Sequence, residues 1–393
     1  MAVDRDVRQA EVTGAVRATY LAFAVSGFIM ASWAARIPQV RDRLDLDASR
    51  LGLVLLCLAF GSVVALPLAG WVVSRFTSRR TVAAMALLTT VGLLAIAFGQ
   101  LAGVAPVVVG LFLVGFANGI WDVGMNVQAA VAERLAGRSI MPRFHAGWSA
   151  GTVAGALVST VVVAAGVPVV VHLSVVAVLV GIVVPVGVRA FVPDVDADEE
   201  PVAGRAIDAW REPRTLLIGA AVLAFAFAEG AGNDWIGITM IDGYSTSDTI
   251  GTLAFATFLA AMTAARWIGP GLLDRYGRVP VVRTLAVVAV VGVLLFVAGP
   301  VAPVAFVGVL LWGIGTSLGF PVGMSAGADE PRLAARRVSV IGSIGYCGFL
   351  AGPPLIGFFG DHESLRRALI SVAVLLAVAG LLATTLRPPK ADA

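Results

Sequence analysis

The sequence predicts an all-α membrane protein that crosses the bilayer twelve times, in two similar six-helix halves. Three observations carry this. Of the 393 residues 59% are hydrophobic and only 13% charged, against roughly 25% charged in a soluble domain, and the mean hydropathy is +0.92. Apolar runs recur between charged or Pro/Gly-rich breaks at about the 20 residues that a helix needs to cross a hydrocarbon core. A motif at 70–80 returns near 270–278.

The elements follow in order. A charged segment, 1–16, precedes span 1 (17–38), which ends at Arg36-Ile37-Pro38. Span 2 (50–73) runs into the arginine-rich stretch GWVVSRFTSRR, and span 3 (81–101) is a plain apolar run. Span 4 (105–131) carries amides and an acid, span 5 (143–166) opens near His145, and span 6 (168–191) opens at Pro168. These make up the first half, 17–192. The connection 193–213 holds seven acids and reads as a solvated linker, its later part a short interfacial helix anchored by Trp210. The second half, 214–387, contains spans 7 (214–241), 8 (249–273), 9 (281–300), 10 (302–327), 11 (337–360) and 12 (365–386), followed by the tail 388–393. Glycines and Pro353-Pro354 crowd span 11, where small side chains permit close helix approach.

The charge pattern orients the chain. With the N-terminus inside, the inner segments hold 21 Lys/Arg and the outer loops six: Arg36, Arg41, Arg43, Arg50, Arg366 and Arg367. The positive-inside rule then places both termini in the cytoplasm. The net charge of +3 is spread over short loops and gives no nucleic-acid footprint. Cys57 and Cys347 lie in apolar segments, so no disulfide framework is expected. The charged opening and the long apolar runs behind it do not read as a cleavable leader.

The internal repeat has an offset of 200, setting Ser74 on Asp274 and Arg75 on Arg275, with Arg79 near Arg278; VGM recurs in spans 4 and 10. Parallel six-helix repeats are a transporter plan with a site near the bilayer midplane. The motif resembles the signature of the major facilitator superfamily between the second and third helices of each half, G-x-x-x-D-R-x-G-R-[RK]. The second copy keeps Asp274, Arg275, Gly277 and Arg278; the first keeps Gly70, Arg75, Arg79 and Arg80, with Ser74 for the acid and Thr77 for the second glycine. ASWAARIP (31–38), MNVQAAVAERLAGRSIMPRFHAGWSAG (125–151) and SLGFPVGMSAGA (317–328) are similar to the fucose-permease-like branch and its bacterial relatives. That resemblance implies a multi-pass protein of a bacterial inner membrane. It also implies a proton-coupling acid on the fourth helix with Asn four residues on, a pattern that Asp122 and Asn126 match. The first-helix acid of the sugar permeases has no match in 17–38.

Polar groups inside the spans mark the candidate site. Asn118, Asp122 and Asn126 step by four along one helix face. An acid at that depth costs about 2.5–3.5 kcal/mol, so it faces a hydrated cavity or a partner; the alternative is a helix-packing cluster. Glu229 lies mid-span 7 with Asn233 one turn on, and Gly230 and Gly232 suggest a helix break there. Glu229 either carries a proton or pairs with an arginine as a lock. Trp121 either stacks on a sugar ring or fills core. Arg36 stands at a cavity mouth or snorkels, His145 is a gate or an interfacial histidine, and Arg266 snorkels inward. Asp274, Arg275 and Arg278, with Arg75 and Arg79, form a conformational latch in which Ser74 weakens the first copy.

No phosphate-binding GxxxxGK[ST] loop, HExxH or thiol cluster is present, and the three histidines are scattered. The expected function is therefore secondary transport by alternating access of a small polar solute, sugar- or polyol-like, in proton symport. A proton-coupled efflux antiporter is the alternative, then a non-transporting sensor or a membrane-embedded enzyme. The expected partners are solute, protons and lipid, with no nucleic acid, metal or cofactor, and a monomeric state.

Overall fold

The computed structural model describes residues 2–137, 140–194, 206–330 and 333–388. The linker residues 195–205 and the tail from 389 onward lie outside the described residues. Among those described, the helices are α1 (Ala2–Ala34), α2 (Ile37–Arg43), α3 (Ala48–Phe76), α4 (Ser78–Gly99), α5 (Val104–Ala136), α6 (Met141–Ala164), α7 (Val169–Gly187) and α8 (Pro213–Tyr244). They continue as α9 (Asp248–Tyr276), α10 (Arg278–Ala298), α11 (Ala302–Thr316), α12 (Gly319–Gly327), α13 (Ala334–His362), α14 (Leu365–Ala368) and α15 (Ile370–Leu382). A short 3₁₀ turn, Ala206–Arg211, precedes α8 and leaves Trp210 42% exposed, the end of the linker where the composition predicts a short helix.

Among the described residues twelve spans, each of 21 to 34 residues, are long and apolar enough to cross a membrane. The chain divides into two compact units, Met1–Leu46 with Val54–Ala197, and Asp47–Leu53 with Asp198–Ala393. Span ends differ from the sequence reading because polar residues continue the helices past the apolar runs: span 1 reaches Arg43, span 4 Ala136, and span 8 Tyr276. In the first unit α1 packs on α6 and α4 on α5 and α7; in the second α8 packs on α13 and α10 on α11 and α15. The two units solve one packing problem alike. A Cβ on Gly92 would meet the Gly110 carbonyl at 2.8 Å, and one on Gly292 would meet that of Gly308 at 2.7 Å. Backbone-to-backbone approach of this kind is the small-residue packing of membrane helices.

Among the described residues spans 1, 10 and 12 are interrupted, the last at Leu369 between α14 and α15, and span 7 is not. Span 1 breaks between α1 and α2, where Pro38 occupies the first turn of the new helix and costs no hydrogen bond. Span 10 breaks at Ser317–Leu318, where the Ser317 hydroxyl donates to the Ile314 carbonyl at 2.7 Å, a local bond that competes with helix continuation. α8 runs unbroken through Gly230 and Gly232, correcting the expected break there. Those glycines make room for neighbours instead: a Cβ on Gly232 would meet the Phe258 ring at 2.6 Å, and one on Gly230 the Phe349 ring at 3.1 Å.

The repeated arginine motif is a one-residue hinge. Only Thr77 separates α3 from α4, and only Gly277 separates α9 from α10. Gly277 has φ 79° and ψ 167°, and Thr77 has φ 73° and ψ 151°. This region of backbone space belongs almost wholly to glycine and costs other residues about 1–3 kcal/mol. The first copy thus holds a β-branched residue where the geometry calls for glycine. Thr77→Gly is expected to raise stability by about 1 kcal/mol after the entropy of the added glycine is deducted, read as a higher midpoint of thermal unfolding in detergent. An unchanged or lower midpoint would show that no strain is stored at this position.

Candidate functional site

In the first unit the candidate site is built on α5. Spacing of four residues puts Asn118, Asp122 and Asn126 on one face, and all three remain partly exposed while Ala117, Trp121 and Met125 beside them are buried. The midpoint of α5 is Ile120, so Asp122 lies about 3 Å from it at 1.5 Å per residue. That is closer than the shorter helix of the sequence reading implies. The buried Ser26 hydroxyl of α1 donates to Asn118 Oδ1 at 3.0 Å. Asn126 Nδ2 donates to the Asp122 carbonyl at 2.8 Å and to Asp122 Oδ1 at 3.3 Å. The α5 face therefore offers amide donors, amide acceptors and one carboxylate, held in place by bonds that use only part of their capacity.

Trp121 is not on that face. It is 1% exposed, and its indole N–H has no hydrogen-bond partner among the described residues. This corrects its assignment to the solute site: the ring is core, and no face is open for stacking. Arg36 neither snorkels nor stands at an open mouth. The break after α1 turns it inward, 2% exposed, where Nε donates to His172 Nδ1 at 3.0 Å and Nη2 to the Val167 carbonyl at 3.0 Å. It ties span 1 to the start of α7. His145 is exposed, with its ring edge-on to Phe23 of α1 at 5.1 Å.

In the second unit Glu229 lies within one residue of the α8 midpoint and is buried, 7% exposed. It is ion-paired: Arg266 Nη2 of α9 donates to Glu229 Oε2 at 2.9 Å. Arg266 Nε donates to the Ser317 carbonyl at 3.0 Å, at the break in span 10. This corrects the inward snorkel read for Arg266. An arginine deep in an apolar span requires an acid and freed carbonyls, and the fold supplies both. Asn233 and Asp234, one turn further along α8, are partly buried.

The latch residues are arranged differently from the sequence expectation. α9 continues through Asp274 and Arg275, so both point from its exposed surface; Asp274 has no ion pair or hydrogen bond among the described residues, and Arg275 lies over the Tyr276 ring at 5.2 Å. Arg278 pairs instead with Asp329 Oδ1 at 2.6 Å, and Arg214 takes Asp329 Oδ2 at 2.8 Å. Asp329 closes span 10 and carries the anchoring charge that Asp274 does not. Beside it Arg337 bonds Glu212 at 2.5 Å and Glu330 at 2.9 Å. Burial alone would raise the Glu212 carboxyl, but hydrogen bonds from Arg337 and Thr215 outweigh it and hold it below the usual glutamate range.

In the first unit Arg75 lies over the Phe76 ring at 5.7 Å, Arg79 is exposed, and Ser74 donates to the Trp71 carbonyl. The acid there is Asp194, which accepts from Ser78 N at 2.6 Å and Ser78 Oγ at 2.5 Å, at the N-terminus of α4 where negative charge is favoured. Gln128 joins it, exchanging hydrogen bonds with the Val192 backbone. Sequence reading missed Asp194 and Asp329 because each lies far along the chain from the arginine or helix end that it serves.

Twelve apolar spans, interrupted helices and polar groups at membrane depth define a multi-pass membrane transporter. The chain belongs to the Major Facilitator Superfamily, whose family model matches residues 18–332 and 235–393. It is 28% identical over 371 residues to an uncharacterized transporter of Sinorhizobium fredii, covering 93% of this chain and 96% of that one. It is 29% identical over 364 residues to an uncharacterized MFS-type transporter of Yersinia pestis, covering 91% and 92%. The membrane protein MosC of Rhizobium meliloti is 28% identical over 379 residues, covering 93% and 89%. Among solved structures, the nucleoside transporter NupG shares the fold with a TM-score of 0.75 at 14% identity, covering 96% of this chain and 98% of that one. A bacterial homolog of the human lysosomal transporter Spinster shares it at 0.75 and 13%, covering 97% and 99%.

Proposed function

We propose that the protein moves a small, neutral, polyhydroxylated solute across a bacterial inner membrane by alternating access, in symport with protons, with both termini cytoplasmic. The α5 face carries this reading: Asn118, Asp122 and Asn126 remain partly exposed at the centre of a membrane helix, each with hydrogen-bonding capacity left over. Leaving a carboxylate and two amides without a full set of protein partners at that depth is costly, and a hydrated solute pathway offsets the cost. Amide groups donate and accept in pairs, which suits hydroxyl-bearing ligands. Asp122, the acid of that face, is the proton-coupling group of the first half. The shared fold with NupG, a nucleoside transporter, adds nucleosides to the candidates.

The test is a thermal-shift screen of the purified protein in detergent against sugars, polyols, nucleosides, organic cations and organic acids. A ligand bound only by the folded state raises the unfolding midpoint with concentration. A rise confined to neutral polyhydroxylated compounds, weakened in Asn118→Ala, is the expected result. A rise confined to cations or apolar compounds would overturn the proposal in favour of export.

A further inference from the structure

We propose that Asp234, and not Glu229, is the carboxylate that takes up and releases the proton in the second half of the protein. The inference rests on the proton-coupled reading above and changes which residue of α8 serves it. Two acids lie at membrane depth on α8: Glu229 beside its midpoint, and Asp234 about 8 Å further along at 1.5 Å per residue. They differ in what surrounds them. Glu229 is committed to Arg266, and Arg266 in turn to the Ser317 carbonyl, so protonating Glu229 would break an ion pair and unpin the break in span 10. Asp234 has neither a hydrogen-bond partner nor an ion-pair partner among the described residues.

Among the described residues, no element packed closely against α8 supplies a cation to Asp234. Among those residues α8 packs chiefly on α9, α11, α12, α13, α14, α15 and the short 3₁₀ turns at 206–211 and 383–386, and its Tyr244 hydroxyl donates to the Phe296 carbonyl of α10, whose Arg278 is held by Asp329 and whose Arg283 is exposed. The last of these turns and the segments of α11, α12 and α15 contain no charged residue. α9 offers Asp248, Asp274 and Arg275 near its ends and Arg266 within, the last bonded to Glu229. α13 has only Tyr346 and Cys347 as titratable groups between Arg337 and Asp361, and His362 closes it. Arg366 of α14 is spent on the carbonyls of Val297, Gly243 and Gly299 and on the Tyr244 ring, at the end of α8. Arg367 of α14 pairs with Glu363, and Asp208 and Arg211 lie before the other end of α8. On α8 itself Arg214 is held by Asp329, while Asp242 and Tyr244 lie two turns or more beyond Asp234. A carboxylate with no counter-ion inside a membrane is neutralised by the proton it binds. Glu229 is left as the fixed member of a pair that positions span 10.

Infrared spectroscopy of the full-length protein in phosphatidylcholine vesicles reads this directly, through the C=O stretch of protonated carboxyl groups followed from acidic to alkaline pH. One titrating component is expected to be lost in Asp234→Asn, retained in Glu229→Gln, and retained at a shifted frequency in Asp234→Glu. Survival of every component in Asp234→Asn, or loss of the component in Glu229→Gln, would overturn the assignment. The spectrum registers protonation whether or not solute moves. Failure of proton-driven uptake is a separate result that bears on the transport reading alone.

Discussion

Asp122→Asn is expected to abolish pH-driven accumulation of solute in vesicles, leaving solute counterflow measurable. Counterflow exchanges labelled for unlabelled solute and requires no net proton movement, so a permanently neutral side chain still permits it. Accumulation needs a group that binds the proton on one side and releases it on the other, and asparagine does neither. The substitution is nearly isosteric, and its amide oxygen can still accept from Asn126 Nδ2, which lies 3.3 Å from Asp122 Oδ1; the fold is therefore expected to survive. The measurement is uptake driven by an imposed pH gradient, set beside counterflow in the same vesicles, with a solute from the thermal-shift screen. Full accumulation in the variant would remove Asp122 from coupling. Loss of both activities would point to solute binding or folding instead.

Arg266→Met is expected to destabilise the second unit by about 3–5 kcal/mol, the range for removing one partner of a buried ion pair. The figure is carried by the acid left behind: the Glu229 side chain is 10% exposed and that of Arg266 21%, so water does little to screen the orphaned charge. The Ser317 carbonyl at the span 10 break loses its donor as well. Replacing both partners, Arg266→Met with Glu229→Leu, is expected to recover most of the loss, because two apolar side chains of similar volume carry no charge to compensate. Unfolding in mixed detergent micelles gives the free energies, and a double-mutant cycle gives the coupling. A loss below about 1 kcal/mol in the single variant would mean that the pair is solvated and holds nothing in place.

Much of the architecture was legible along the chain. Spans are local features, since a helix needs some 20 apolar residues whatever lies elsewhere, and the motif at 70–80 and 270–278 made the duplication visible. The polar stripe of α5 was legible for the same reason: a period of four residues survives any tertiary arrangement. The expected break in span 7 was wrong in an instructive way. Gly230 and Gly232 looked like helix breakers, yet Phe258 and Phe349 fill the space that they leave. Glycine alone does not say whether it loosens a helix or admits a neighbour.

The partners of the charged groups were not legible. Arg266 and Glu229 lie 37 positions apart, Arg266 and Ser317 51, and Arg36 and His172 136. The sequence alone determined that this protein is a twelve-span membrane bundle with acids and amides at mid-depth, because hydropathy and helical period act within one segment. The tertiary structure decided which acid is locked and which is left bare: Glu229 with its arginine, Asp234 without one among the described residues. Inside a low-dielectric layer a charge is governed by its neighbour within a few ångströms, and that neighbour comes from another helix.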